Sequence, residues 1–578
     1  MKRLLPWLRL ALVLGDFTLS AWIAGVLFMS FALRVPTNAT PITIFHYMFQ
    51  YGHLPKIGKL IYVCWVFAGS VFVVLLALIF KVRAASPYGD ARWATEWGLR
   101  RAGLRAKKGL LLGRCWNRFL VADGFEHVLC FAPTRSGKGV GIVIPNLLNW
   151  PGSALVHDIK GENFESTSGF RARYGKVYFW NPGDPEGRTH CYNPLDFISK
   201  NPGQRIDDIQ KIAHLILPEQ DFWSNEARTL FVGLVLYLLE NSSGPATFGL
   251  VLRTLRGQGN FVDYVTRLTE TEREQMNAVA YMAMNAFIQK ADKEQSAVLS
   301  TLNAALELWA NPLIDAATSR SDFDLRRLKK ELMTVYVGVS PNNLHRLRPL
   351  MQVFYQQAVD MMSERKPNLQ EEPHPVLFLM DEFPSLGRMT QFEQGIAYLA
   401  GYRVRLLLII QDIPQLETHY QRSGMNTFLG NSKIRVTFAA NNFETADLIS
   451  RLLGTYAAQT DSESESRQKG MTLDPGYGSI SKAKMARPLL LPQEILQLPP
   501  DEEIVMVEAS QPIRARKIRY FEEEVFQRRV QPPISIPTIE APQPTLISFP
   551  QAEVSEEEVE EFLKEDAPEN RPQAAMTA

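Results

Sequence analysis

The feature that most restricts the fold of this chain is an apolar stretch at residues 60–80. It contains 21 residues without a charge, and a helix of that length spans the roughly 30 Å hydrocarbon core of a bilayer. A second stretch, at residues 17–33, reaches back to residue 10 if it includes Asp16. We predict two transmembrane helices, at about 10–33 and 60–80, with Asp16 near the cytoplasmic headgroups. A cleaved signal peptide is the alternative for the first stretch, and a soluble core helix is the alternative for the second.

Basic residues around these stretches predict the orientation of the anchor, residues 1–85. Lysine and arginine are frequent before the first stretch and after the second, whereas the loop between them has only Arg34, Lys56 and Lys59. Since cytoplasmic flanks carry the excess of basic residues, both ends of the anchor are predicted to be cytoplasmic. The bulk of the chain is then a cytoplasmic body on a multi-pass anchor.

Composition excludes several classes of protein. The chain has 578 residues, 46% of them apolar, which is enough for two or three domains with ordinary cores. Its 62 basic and 61 acidic residues give a net charge of +1, so it is neither a uniformly basic nucleic-acid coat nor an acidic disordered chain. The acidic excess lies in residues 531–578, which leaves a basic body. The sequence contains no C-x-x-C pair and no H-E-x-x-H motif, so it indicates neither a disulfide framework nor a zinc site.

The strongest chemical signal is the segment APTRSGKG at residues 132–139. A short apolar run at 127–131 predicts a strand before it, and the residues after it predict a helix. In this context the loop binds nucleotide phosphates, because backbone N–H groups and the helix N-terminus point at the phosphate and the lysine reaches the terminal oxygens. The predicted nucleotide-binding residues are Thr134, Arg135, Ser136, Gly137, Lys138, Gly139 and Val140.

The loop departs from the pattern G-x-x-x-x-G-K-[ST] at two positions. Ala132 replaces the first glycine, which is a mild change. Gly139 stands where a hydroxyl normally holds magnesium, so a second segment has to supply the metal site. A Gly/Ser-rich surface turn is the alternative interpretation, and the flanking strand and helix favour the nucleotide.

Two carboxylates after another buried strand supply the missing functions. The apolar run at 376–380 is followed by Asp381 and Glu382, and acids at the carboxyl end of a parallel strand lie where open α/β sheets bind ligands. We predict that Lys138 binds ATP, that Asp381 holds Mg²⁺ and that Glu382 orients and deprotonates the attacking water. A helix N-cap is the alternative for these acids. Gln411, after a third apolar run, either senses the γ-phosphate or finishes its strand.

Alternating strands and helices predict an α/β fold with a mostly parallel, doubly wound sheet. The predicted strands lie at 127–131, 153–157, 176–180, 334–339, 376–380, 406–410 and 434–438. Strand-like patterns at 504–507 and 513–520 are predicted to close this sheet.

The chain between and after these strands predicts three further regions. Residues 196–321 have helix-forming patterns, so we predict an all-helical subdomain inserted into a nucleotide-binding domain made of 86–195 and 322–530. The polar residues 460–485 predict a mobile or partner-facing loop. The proline-rich, acidic residues 531–578 predict a disordered tail, with a docking segment for a basic partner as the alternative.

In these segments the chain resembles the TraG-type coupling proteins of conjugation and type IV secretion. The resemblance covers roughly residues 1–525 in order, and Gln411 followed by Gln415 and Leu416 also fits it. It rests on the two apolar stretches and on the motifs YGDARWA (88–94), APTRSGKGVG (132–141), DIKGE (158–162), LMDEFPSLG (379–387), RPLL (487–490), LPPDEE (498–503) and PIRAR (512–516).

The resemblance implies a RecA-like P-loop ATPase core with an all-helical subdomain, assembled as a homo-hexameric ring under a secretion channel in a bacterial inner membrane. It implies that an arginine from the neighbouring subunit completes each site, and Arg403, Arg405 and Arg435 are the candidates. The implied partners are relaxase-bound single-stranded DNA or effector proteins, inner-membrane channel components, secretion ATPases and membrane lipid. Gly139 is similar to what this family tolerates at its position.

Three functions are compatible with these features. The leading hypothesis is an ATP-hydrolysing motor and receptor that delivers relaxase-bound DNA or proteins to a secretion complex. Because Gly139 lacks a hydroxyl, a nucleotide-gated docking platform that does not hydrolyse ATP is the alternative. A chromosome-partitioning DNA pump shares the core, but that class usually has more membrane spans and a terminal winged helix, and neither is visible in the sequence.

Overall fold

The computed structural model describes residues 4–32, 35–79, 88–465, 478–541 and 547. The chain divides into two compact units, Met1–Asp90 and Ala91–Ala578. Each unit has its own hydrophobic core.

The first unit contains two long apolar helices that pack against each other. Its helices are α1, Leu4–Ala32, α2, Thr43–Tyr51, and α3, Pro55–Ile79. By length and composition, the segments Val13–Ala32 and Pro55–Leu76 are each able to cross a membrane, and they fit the predicted two-helix anchor. Asp16 lies inside the first segment, and its place near the headgroups stays a prediction.

An eleven-stranded mixed sheet forms the centre of the second unit, in the order β2-β1-β13-β12-β9-β3-β8-β7-β4-β6-β5. The strands from β9 to β5 in this order run parallel, and the other four are antiparallel to their neighbours. Their bounds are β1 Leu110–Cys115, β2 Arg118–Ala122, β3 Val128–Phe131, β4 Ser153–Asp158, β5 Lys176–Trp180, β6 Met333–Gly338, β7 Val376–Met380, β8 Val404–Ile410, β9 Ile434–Thr437, β12 Glu502–Val507 and β13 Ile513–Arg516.

The seven parallel strands are the seven strands that the sequence predicts, with ends shifted by one or two residues. They are recognisable because strands buried on both faces are continuous apolar runs, and every residue of β3, β7 and β8 is buried. The α/β prediction is confirmed.

The antiparallel edge of the sheet differs from the prediction. β12 and β13 do not close the sheet, because β1 and β2 continue it beyond them. This hairpin was not predicted from the sequence, since its two-residue turn, Trp116 and Asn117, lacks the glycine that marks such turns. Both residues nevertheless have the positive φ, 49° and 62°, that a turn of this kind requires.

Helices surround the sheet, and residues 196–321 contain helices and no strand. One of these helices begins at Phe222, and the side chain of its N-cap residue, Asp221, accepts a hydrogen bond from Ser224 N–H. The limits of a separate subdomain stay a prediction. The helices of the second unit are α4 Glu96–Arg101, α5 Ile144–Leu147, α6 Glu162–Ala172, α7 Pro202–Ile216, α8 Phe222–Asn241, α9 Phe248–Leu255, α10 Phe261–Thr271, α11 Ala278–Ile288, α12 Asp292–Leu306, α13 Pro312–Ala317, α14 Leu344–Ser363, α15 Thr390–Gly395, α16 Ile413–Asn431, α17 Phe443–Leu453, α18 Pro492–Leu496 and α19 Glu524–Gln527.

The predicted loop at 460–485 is partly wrong. β10, Thr455–Glu465, and β11, Gly478–Pro488, pair in antiparallel register as a separate two-stranded sheet. Polar residues hide this pairing in the sequence, because the segment TDSESE at 460–465 lacks the apolar alternation used to detect a strand. Residues 466–477 lie outside the described part of the chain.

The beginning of the predicted tail is not a free end. Ile539 N–H donates to Gly187 O at 2.8 Å, and Thr189 N–H donates to Pro537 O at 3.0 Å. The Ile539 side chain is buried against Ala317 and its neighbours. Extended proline-rich chain can dock in this way because its remaining N–H and C=O groups pair with an exposed backbone. Within 531–578, the structure describes residues 531–541 and 547, and the remaining residues lie outside the described part of the chain.

Candidate functional site

The phosphate loop lies at the carboxyl ends of the central strands. β3 is flanked by β8 and β9, with Phe131 opposite Ile410 and Thr437. The Ala132 N–H continues the ladder by donating to Ile410 O at 2.8 Å. A π-helical turn, Gly139–Val143, then leads into α5. The strand, loop and helical turn predicted from the sequence are therefore all present.

The loop backbone is folded tightly and opens on free space. Arg135 and Gly137 have positive φ, 62° and 88°. A Cβ added to Gly137 or Gly139 would meet no atom within 4 Å. The loop therefore has room for a ligand on the side of these glycines. Gly141 is different, because a Cβ there would lie 3.3 Å from the Phe438 ring.

Lys138 meets both predicted catalytic acids at the mouth of this loop. Its Nζ lies 2.9 Å from Asp381 Oδ1 and 2.9 Å from Glu382 Oε1. The three side chains are 18%, 18% and 28% exposed, respectively, so a ligand can reach them. Residues far apart in the sequence therefore converge on one site, as the sequence predicts.

The charges of this cluster depend on each other. Burial lowers the pKa of Lys138, but Asp381 and Glu382 outweigh it, so the pKa lies above its ordinary value. Burial raises the pKa of Asp381 despite the nearby ammonium. Lys138 is thus protonated, and its charge stabilises the carboxylate of Asp381 in a poorly solvated position.

Glu382 has an unusual backbone conformation. Its φ of 53° and ψ of 51° are left-handed, a region that costs a non-glycine residue on the order of 1–3 kcal/mol. The turn is fixed by Ser385 N–H, which donates to Glu382 O at 2.9 Å. This turn aims the Glu382 side chain at Lys138 rather than along the strand direction.

A buried group of polar residues at the end of β4 supports the site, and sequence reasoning did not assign it a role. His157 shares hydrogen bonds with Tyr355 Oη at 3.0 Å and with Ser385 Oγ at 3.3 Å. Burial lowers the pKa of His157 to about 4, so its ring is neutral. Asp158 accepts a hydrogen bond from Phe164 N–H at 2.8 Å. The signals in the sequence were the position of these residues at a strand end and, for Asp158, its place in the motif DIKGE.

The residues present fit ATP and Mg²⁺. Ser136 Oγ is buried and has no hydrogen-bond partner in the described part of the chain, and Asp381 adds a carboxylate of the kind that Mg²⁺ prefers. The described residues contain no group of three or more His, Cys, Asp or Glu side chains that could hold a metal. Mg²⁺ in nucleotide sites is commonly bound through one or two carboxylates together with substrate phosphates and water.

Gln411 and the arginine candidates have different surroundings. Gln411 follows Ile410, which bonds to the loop, and its own N–H donates to Gln415 Oε1 at 3.4 Å. Its role as a sensor stays a prediction. The structure corrects the proposal that Arg405 is an arginine finger. Its side chain is completely buried and cannot extend to a neighbouring subunit. Its guanidinium donates to the backbone oxygens of Ala122 and Glu126, each at 2.8 Å.

The other two candidates also have partners within the chain. Arg403 donates to Glu372 O at 2.8 Å and Pro373 O at 3.0 Å. Arg435 donates to Leu429 O. Both are at least partly exposed, so their assignment as arginine fingers stays a prediction.

Comparisons with known proteins agree with this site. Residues 92–540 match the family described as Type IV secretory system Conjugative DNA transfer. The chain is 34% identical to VirD4 of Rhizobium rhizogenes over 478 residues, which cover 80% of this chain and 70% of VirD4. It is 29% identical to TraG of Escherichia coli over 503 residues, which cover 77% of this chain and 78% of TraG.

Solved structures of the coupling protein TrwB share the fold. TrwBdeltaN70 in complex with sulphate has a TM-score of 0.55 at 16% identity, over 76% of this chain and 96% of that chain. TrwB in complex with the ATP analogue ADPNP has a TM-score of 0.55 at 16% identity, over 81% of this chain and 99% of that chain. Together with the match over residues 92–540, the relatives show that the chain belongs to the VirD4/TraG family of type IV secretion coupling proteins.

Proposed function

We propose that this coupling protein is a membrane-anchored ATPase that delivers relaxase-bound single-stranded DNA, protein substrates, or both to a type IV secretion channel. The observation that carries the proposal is the convergence of Lys138 with Asp381 and Glu382 beside an open phosphate loop. The TrwB structures with ADPNP and with ADP and Mg²⁺ support the same assignment by analogy.

The chain's own groups account for the main steps of hydrolysis. The loop N–H groups bind the phosphates, and Lys138 exchanges its two carboxylate partners for phosphate oxygens. Glu382, released from Lys138, orients the attacking water and accepts its proton. Asp381 is the protein ligand for Mg²⁺, which neutralises charge on the phosphates when it is bound.

Assembly and cargo follow from the same proposal. A homo-hexameric ring would let an arginine of one subunit complete the site of the next. With the acidic tail excluded, the chain carries a net positive charge, which suits a pore that grips single-stranded DNA through its phosphates. DNA affinity is then expected to fall steeply with salt. The two apolar helices would hold this ring at the bacterial inner membrane, beside the channel components and secretion ATPases.

ATP turnover and substrate transfer test this proposal against a docking platform. The full chain in detergent is expected to hydrolyse ATP, with stimulation by single-stranded DNA, and Glu382→Gln is expected to abolish turnover and transfer. Lys176→Ala is the control, because it removes a lysine that is 52% exposed and pairs with Glu331 away from the loop. If Glu382→Gln transfers substrates fully without ATP turnover, only the alternative hypothesis remains. This is the nucleotide-gated docking platform suggested by the missing hydroxyl at Gly139.

A further inference from the structure

A second lysine contacts the phosphate loop through a backbone carbonyl. Lys517 directly follows β13, and its Nζ donates to Ser136 O at 3.0 Å. The ammonium also lies 4.2 Å from the centroid of the Phe438 ring, within the range of a cation–π interaction. Lys517 and Ser136 are 381 positions apart, and neither the loop motif nor the catalytic acids point to this contact.

The contact belongs to a closely packed layer. Lys517 N–H donates to Asp501 O at 2.8 Å, and Phe438 N–H donates to Phe131 O at 2.9 Å. A Cβ on Gly141 would lie 3.3 Å from Phe438 and 3.4 Å from Ile518 O. The antiparallel edge of the sheet is therefore in direct contact with both the loop and the helical turn that follows it.

The charge of Lys517 lacks a carboxylate partner among the described residues. Glu503 on β12 is only 2% exposed, and burial raises its pKa well above the usual range although the charge of Lys517 acts in the opposite direction. Burial also lowers the pKa of Lys517. The polar partner of this half-buried ammonium is the loop carbonyl. Burying a cation costs desolvation free energy, and the hydrogen bond to Ser136 O is the contact that connects this cation to the phosphate loop.

We propose that Lys517 is a positioning residue for nucleotide binding, which holds the Ser136 carbonyl outward so that the loop N–H groups face the phosphates. A phosphate loop binds through successive N–H groups, so its carbonyls have to point away from the ligand. Ser136 lies between two residues with positive φ, Arg135 and Gly137, where a rotated peptide would aim an oxygen at the phosphates. The inference rests on the proposed nucleotide-binding function.

Nucleotide binding by the full chain tests this role. With a fluorescent ATP analogue, Lys517→Met is expected to bind about tenfold more weakly than wild type, which is about 1.4 kcal/mol. The KM for ATP is expected to rise in parallel, with little change in kcat because Lys138 and Glu382 are untouched. Lys517→Arg keeps a donor and a charge, and it is expected to restore most of the affinity.

Arg514→Met is the matched control. Arg514 is on the same strand, is exposed and pairs with Glu502 at 2.5 Å, so its loss removes one positive charge without touching the loop. Its KM is expected to equal that of wild type. If Lys517→Met fails to fold, Lys517→Gln replaces it in the same comparison.

The outcomes separate the inference from the proposed function. An unchanged KM in Lys517→Met, with or without a lower melting temperature, would overturn the positioning role alone, provided that wild type binds the analogue. Failure of Lys517→Arg to restore affinity would overturn it as well. A wild-type protein that does not bind the analogue would overturn the proposed function and this inference together.

Discussion

The two ends of the parallel strands hold buried cations in opposite ways. At the carboxyl ends, Lys138 pairs with the side chains of Asp381 and Glu382, beside glycines that face open space. Near the amino ends, Arg405 is completely buried and its hydrogen-bond partners are backbone oxygens. Carboxylate side chains can rotate away when a ligand arrives, whereas a backbone carbonyl can move only if the chain on either side of it moves. The partners therefore distinguish an exchangeable cation from a structural one.

The largest effect is expected for Lys138→Ala. It removes the cation that the proposal assigns to the phosphates, so ATP turnover is expected to fall about 1,000-fold, or roughly 4 kcal/mol of transition-state stabilisation. The melting temperature is expected to change little, because Asp381, whose pKa burial already raises, can take up a proton and Glu382 is 28% exposed to water. ATP turnover and thermal melting, measured on the same preparation, check these two expectations. A large loss of stability without loss of turnover would show that Lys138 is a structural cation instead.

Asp158 tests whether an ionisable group at the carboxyl ends of the strands affects the stability of the fold. Burial raises its pKa from 3.8 to about 7, so the folded state keeps a proton that the unfolded state releases near pH 4. Folding stability is therefore expected to fall as the pH rises from about 4 to about 7, by at most about 4 kcal/mol. Asp158→Asn cannot titrate. Its melting temperature is expected to decline less than that of wild type between pH 5 and pH 8, and equal declines would contradict the assignment.

Arg405→Met is expected to cost stability rather than catalysis. The change leaves the buried oxygens of Ala122 and Glu126 without their donors, for a loss of about 3 kcal/mol. Arg403→Met at the same edge is the control, because its side chain is partly exposed and water can replace its bonds. Thermal melting and the ATP turnover of the folded fraction are the measurements. Normal stability with lost turnover would show that Arg405 acts in catalysis after all.

The smallest effect is expected for Gln411→Ala. Gln411 directly follows β8, the strand that begins with Val404 and contains Arg405, so residues of both kinds lie on or beside one strand. If Gln411 senses the γ-phosphate, kcat is expected to fall about tenfold, or about 1.4 kcal/mol, with little change in the KM for ATP or in stability. A purely strand-ending role would leave kcat unchanged.

The parallel sheet and the residues that meet at the phosphate loop were predictable because each leaves a local trace in the sequence. Buried strands such as Val376–Met380 are continuous apolar runs, and the residues after them carry recognisable chemistry. The hairpin at Trp116 was missed because its turn residues adopt positive φ without glycine. The β10–β11 pair was missed because residues 460–465, TDSESE, have no apolar alternation to detect.

The supporting residues could not be predicted, since their roles arise from contacts over long separations. His157 meets Tyr355 across 198 positions, and no spacing rule links them. Arg405 illustrates the opposite error, because an arginine near a motif looks available in the sequence and only its burial shows that it is structural.

The amino-acid sequence by itself determined the order of strands along the chain, the phosphate loop and the acids that follow β7, because apolar runs and distinctive side chains are properties of short segments. Tertiary structure alone decided which cations can exchange partners and that Lys517 supports the loop. The reason is physical: burial and the nature of a partner depend on the packing of strands that are hundreds of residues apart.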